Sequence, residues 1–184
     1  PDGPGGQTCV TEQAMPEIIE QSLRSRGRKV TVIRPALSFA DGLASPKLVE
    51  SLKRVAKRLG VSADAIAPAV EGAAKAQASC KEALERIGEQ AIDYARSRQI
   101  PIVLLCGHLH VIHDPGINAN LPLQLRRNGA MAIPVDCFAI DPATPRMPKV
   151  YWGDPNRFMR AAASARAKGD IFPLLLCSFG CGPS

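Results

Sequence analysis

Apolar residues along this chain recur in two rhythms, one of period two or continuous and one of three-to-four. The segment "SPKLVESLKRVAKRLG" places Leu48, Leu52, Val55 and Leu59 on one helical face. Ser45 stands as N-cap, Pro46 at the first helical position and Gly60 at the stop. From Ser62 to Arg98 the chain is rich in Ala, Glu, Lys and Gln. After Pro68, Cys80, Leu84, Ile87, Ala91 and Tyr94 alternate at four and three, predicting a long amphipathic helix with one seam. Upstream, "MPEIIEQSLRSRG" reads as a helix and "KVTVIRPA", with its β-branched residues, as a strand.

From Ile100 onward the pattern changes. "IPIVLLCG", "AMAIPVD" and "IFPLLLCSF" are short, nearly continuous apolar runs of strand length. Between them lie the helical segments "INANLPLQLRRNG", with Ile117, Leu121 and Leu125 aligned, and "PNRFMRAAASARAKG". Strand alternating with helix implies parallel βαβ units. The fold class expected is therefore α/β: an open, parallel, doubly wound sheet of Rossmann-like form in the C-terminal half, with a helical N-terminal portion. The expected division is 1–99, the end of a preceding α/β lobe plus long connecting helices, and 100–184, a Rossmann-like lobe. In such sheets ligands collect at the carboxyl ends of the strands, which is where "CGHLHVIHDPGIN", "DCFAIDP" and "CSFGCGPS" fall.

Composition narrows the classes. Hydrophobic residues make up 46% of the 184 and charged residues 22%, the balance of a folded domain. No apolar stretch approaches the roughly 20 residues that span a bilayer. The net charge of +6 is spread over helices, and aromatics, at 4%, are too few for base-stacking platforms, so neither nucleic acid nor membrane is an expected partner. No charged stretch followed by an apolar one opens the chain, so the thiols are expected to be reduced and the location cytoplasmic. There is no G-x-G-x-x-G after a strand, no P-loop and no G-x-S-x-G, which leaves dinucleotide, nucleoside-triphosphate and serine-hydrolase chemistry without carriers.

Six cysteines and three histidines carry the remaining candidate chemistry. Cys80 on the helical seam, and Cys106 and Cys177 in apolar strands, read as small hydrophobes in the core. Cys137, directly after a strand, is a secondary ligand candidate. Cys9 lies ahead of a helix whose unpaired N–H groups favour a thiolate, and Cys181 is bracketed by Gly180 and Gly182, which let backbone amides approach sulfur. Both positions suit an iron–sulfur ligand. Within "GHLHVIHD", His108 and His110 alternate as on one face of an extended strand and, with His113 and Asp114, admit a metal site. A polar loop that binds nothing, and a phosphate site at the helix beginning near Ile117, are the other readings of that stretch, each ahead of a metal.

The stretches "TCVTEQAMPEII", "VLLCGHLHVIHDPGINANLPLQLRRNGAMAIPVDCFAI" and "VYWGDPNRFMRAAASARAKGDIFPLLLCSFGCGPS", above all "SFGCG", resemble the 2-hydroxyglutaryl-CoA dehydratase activase-related proteins, in the domain beyond their ATPase module. The resemblance covers nearly the whole chain. It implies an oxygen-sensitive protein of anaerobic metabolism, of the 2-hydroxyacyl-CoA dehydratase type, holding a 4Fe-4S cluster or a fused double cubane in the full-length polypeptide. It further implies that Cys9 and Cys181 are metal ligands; Cys137, His108 and His110 stand as lesser candidates on the reading of the residues alone. Its expected partners are an ATP-hydrolysing activator module or subunit, an acyl-CoA substrate and a homo- or hetero-dimeric mate. Where relatives carry Arg-Pro-Tyr after the first C-terminal strand, this chain has His108, Leu109 and His110. The same reading expects these residues to be a piece of a longer polypeptide, truncated in the C-terminal lobe, with no cluster in the isolated piece. The function expected is low-potential electron transfer toward an acyl-CoA. The alternative is a non-enzymatic α/β module that binds a partner or nucleotide and uses its cysteines structurally.

Overall fold

The computed structural model describes residues 10–35, 37, 42, 45–150 and 152–177. The chain forms two compact units, Pro1–Gln77 and Ala78–Ser184, and the division falls within one long helix.

In the first unit, helix α1 (Val10–Ser25) starts ahead of Met15 and carries Pro16 inside it. Helix α2 (Pro46–Leu59) forms with the caps its sequence announces. The Ser45 hydroxyl accepts the Leu48 amide at 3.4 Å, and Gly60 turns left-handed at φ 68°. Its apolar face meets the start of α3 (Ile66–Ser97). The strand expected over 29–36 is not found among its described residues, 29–35. β-branched residues favour an extended backbone, but an extended segment becomes a strand only beside a neighbour that takes its hydrogen bonds. Here Arg34 instead reaches Glu17 and Glu20 of α1 as an ion-paired fork.

In the second unit, β1 (Ile102–Cys106), β2 (Met131–Pro134) and β3 (Ile171–Leu175) form the expected parallel sheet, in the order β2-β1-β3. Met131 and Ile133 bond to one edge of β1, as the Met131 amide to Pro101 carbonyl contact at 2.8 Å shows. On the other edge, the Leu176 amide reaches the Cys106 carbonyl at 2.7 Å, so Phe172, Leu174 and Leu176 face β1. By the same alternation Ala132 and Pro134 on β2, and Ile171, Pro173 and Leu175 on β3, direct their backbone groups outward. Helices α4 (Leu109–His113) and α5 (Leu121–Arg127) connect β1 to β2, and α6 (Gly153–Lys168) connects β2 to β3. The two connections run in opposite directions across the sheet, and right-handed crossovers place them on opposite faces. The core comprises Leu104, Leu105 and Ile133 of the sheet, Ile112 of α4, Phe158, Ala161 and Ala165 of α6, and Ile92 and Ala95 of α3.

Two helical expectations shift. The seam of α3 is rotated: Gly88, Ile92 and Ala95 are buried, whereas Ile87 and Tyr94 are 57% and 48% exposed, and Cys80 is exposed as well. The cause is a close approach. A Cβ on Gly88 would fall 1.7 Å from the Cys137 carbonyl oxygen, so the contact line must pass through Gly88, which brings Ile92 and Ala95 inward and turns Ile87 and Tyr94 out. The helix expected from Ile117 begins instead at Leu121, because Ala119 and Asn120 adopt left-handed φ of 52° and 56°, and Ile117 is exposed.

The Arg96 guanidinium grips Asp170 through two contacts of 2.6 and 2.9 Å, joining the end of α3 to the start of β3. This raises the Arg96 pKa and lowers that of Asp170, chiefly through the hydrogen bonds.

Gly88→Ala should destabilise the protein by about 1–3 kcal/mol through overpacking against Cys137. Gly72→Ala, in the same helix but with nothing near its would-be Cβ, should stabilise it by roughly 0.5–1 kcal/mol. Urea unfolding of both variants checks this, and equal effects would remove the close approach from the account.

Candidate functional site at the carboxyl edge of the sheet

The three strand exits meet at one end of the sheet, and a glycine makes the meeting possible. A Cβ on Gly107 would fall 2.5 Å from the Leu176 carbonyl oxygen, so the chain leaving β1 lies directly against the chain leaving β3. Any other residue there would push the two exits apart.

His108 follows. Its carbonyl accepts the Val111 and Ile112 amides at 2.8 and 3.0 Å and starts α4, so the histidine stretch is helical and not the extended face its alternation suggests. The side chain of His108 is held on three sides. Nδ1 lies 3.2 Å from Asp154 Oδ2 in the first turn of α6, the ring meets Phe158 edge-on at 5.5 Å, and it stacks on His110 at 5.6 Å. His113, at the far end of α4, places Nε2 3.0 and 3.1 Å from the two carboxylate oxygens of Asp136, just past β2. One short helix is thus tethered by His–Asp pairs to the exit of β2 and to the start of α6. Asp136 is the more enclosed partner, 16% exposed against 51% for Asp154.

The structure divides the donors of the histidine stretch. His108 and His110 lie together, His113 pairs elsewhere, and Asp114 accepts the Gly116 and Ile117 amides at 2.8 and 3.2 Å. Asp114 thus closes "DPGIN" as an Asx-type turn, and the helix that follows begins only at Leu121. Among the described residues no group of three or more His, Cys, Asp or Glu side chains is placed to hold a metal ion. Cys9 and Cys181 lie outside the described residues.

Cys106 is buried, as expected, and burial pushes its thiol up to about 11, with the charge of Arg157 pulling weakly the other way. Cys137 is half-buried; burial first and the adjacent Asp136 second raise its pKa, again against Arg157. Cys177 is exposed just beyond β3, contrary to the core position expected, because the strand ends at Leu175 and no strand among the described residues pairs with its outer edge. Burial thus disfavours the free thiolate at Cys106 and Cys137, whereas Cys80 and Cys177 are exposed. The sequence reading missed Asp154 and Arg157 and quoted Asp136 without a role. The signals available were an acid in the first turn of a helix and an acid at a strand exit, both at the edge already singled out.

The family described as CoA enzyme activase uncharacterised domain (DUF2229) matches residues 2–138. The chain belongs to this family. The activase-associated domain, so matched, includes β1, the histidine helix, β2 and Asp136, whereas Asp154, α6, β3 and Cys181 lie beyond the matched residues. No curated protein and no solved structure matches the chain. Among the described residues of the activase-associated domain no helix is long and apolar enough to cross a membrane.

A thiol reagent at mildly alkaline pH should modify Cys80 and Cys177 of the native protein rapidly, and Cys106 only on unfolding. A pKa of about 11 in place of 9.0 leaves roughly a hundredfold less thiolate. The neutral buried thiol contributes its full stability below 9.0 and loses it as pH rises toward about 11. Peptide mapping by mass spectrometry reads the order of modification, and early labelling of Cys106 would contradict it.

Proposed function

We propose that the chain is the iron–sulfur component of a 2-hydroxyacyl-CoA dehydratase/activase-like system, taking part in ATP-driven, low-potential electron transfer to an acyl-CoA-type substrate. The observation that carries this reading is membership of the CoA enzyme activase-associated family over residues 2–138. The cluster ligands proposed are Cys9, within the matched span, and Cys181, which follows Cys177 by four residues in the chain leaving β3. Support for that placement comes from the meeting of strand exits. The β3 exit at Leu176 lies against Gly107, next to His108 with its partner Asp154, at the edge where doubly wound folds collect their ligands. A cluster there would supply one-electron chemistry, and the protein around it would set potential and exclude water. The excess of positive charge suits an anionic CoA or an acidic activator.

A second reading has its own observation. Cys106 and Cys137 both sit where burial disfavours the thiolate, which fits structural cysteines in a non-enzymatic module that docks a partner.

Iron and acid-labile sulfide, measured in the full-length polypeptide prepared without oxygen, separate the two. The electron-transfer reading expects both, in similar amounts, with Cys9→Ala and Cys181→Ala each losing most of the iron and Cys80→Ala retaining it. Iron unchanged in both ligand variants would reject the ligands, and no iron at all would favour the docking module.

A further inference from the structure

On the side of the second unit that begins the sheet, a groove of about 610 Å3 opens between Tyr94 near the end of α3, Pro122, Leu123 and Arg126 of α5, and Gly129–Ala132 leading into β2. Its walls are apolar apart from one guanidinium. Three further observations bear on what fits it. The strand at its base is an edge strand, and Ala132 directs its N–H and C=O away from β1, with no partner among the described residues. Pro134, the next outward position, has no N–H, so the open edge offers a single residue's pair of bonds. Arg126 lines the groove, Arg127 follows it, and Arg98 lies over the Tyr94 ring at 4.7 Å; none of the three has a carboxylate partner among the described residues.

We infer that this groove docks a short, extended, acidic segment of a partner protein, which adds beside β2 at Ala132, seats an apolar side chain against Ile100, Leu123 and Met131, and places carboxylates by Arg98 and Arg126. Backbone pairing at an open sheet edge supplies the common contact of strand addition, and neighbouring pockets and charges supply the choice of partner. The unpaired cations set the sign of that choice. Pro134 limits the pairing to one pair of hydrogen bonds, so the docked segment is short and the complex exchanges readily. The groove lies at the opposite end of the strands from the His–Asp pairs, and neither iron nor acyl-CoA enters the test.

The probe is a short fluorescein-labelled peptide in which valine and glutamate alternate, titrated with the 184-residue chain and read by fluorescence anisotropy. Saturable binding is expected, weakened about tenfold or more by Arg126→Glu and lost with a valine–lysine counterpart. Hydrogen exchange should show the Ala132 amide slowed by the peptide. Circular dichroism of Arg126→Glu confirms the fold, and Ala132→Pro, which deletes the outward N–H and leaves the β1 ladder intact, gives a second variant with the same expected loss. Absence of saturable binding, binding unchanged in both variants, or an Ala132 amide that exchanges as before would overturn the inference. So would self-association of the chain that Arg126→Glu abolishes, which would make a second copy the occupant.

Discussion

Strand β1 imposes the constraint that the second unit is built to satisfy. Its residues bond alternately to β2 and to β3, and its side chains alternate between the two faces, so both edges and both faces must be covered at once. A strand of Ile, Val, Leu, Leu and Cys has no solvent-tolerant side. The connections to β2 and to β3 therefore leave in opposite directions and lie on opposite faces, and their starting points are drawn to the same end of the sheet. The pairs His108–Asp154 and His113–Asp136 form at that end, and Gly107 lets the exits of β1 and β3 lie against each other there.

Elements carried by local signals were legible in the sequence. The caps of α2 and the three apolar runs of the sheet each depend on a few adjacent residues, and each stands where its pattern places it. Features decided by a distant partner were not legible. The buried face of α3 is chosen by Gly88 against Cys137, an approach that favours small residues and misleads a count of large ones. The β-branched run near Val30 lacks a neighbour among the described residues, and no propensity supplies one. At the site, the meeting of three strand exits was legible from topology. The pairs His108–Asp154 and His113–Asp136 bridge 46 and 23 residues and have no local signature.

Two thiols at strand ends of this chain sit in opposite environments. Cys106 packs as a hydrocarbon would, in the buried cluster around the sheet, and burial outweighs the positive charge of Arg157. Cys177 lies in the open just past the end of β3 at Leu175. Burial and charge thus separate a thiol that fills space from one that is free to react, although both stand at strand ends with similar flanking sequence.

Pro173 has a consequence for the life of the chain before it is fully folded. β3 exposes Phe172, Leu174 and Leu175, the densest apolar surface on any strand here, and a flat, uninterrupted "IF-LLL" edge would be a template for stacking chain on chain. The proline stands at the central outward position, so the edge has a missing donor midway between Ile171 and Leu175. The stickiest strand thereby carries an interruption in its own open edge, and the gatekeeping is written into its backbone and not into added charge.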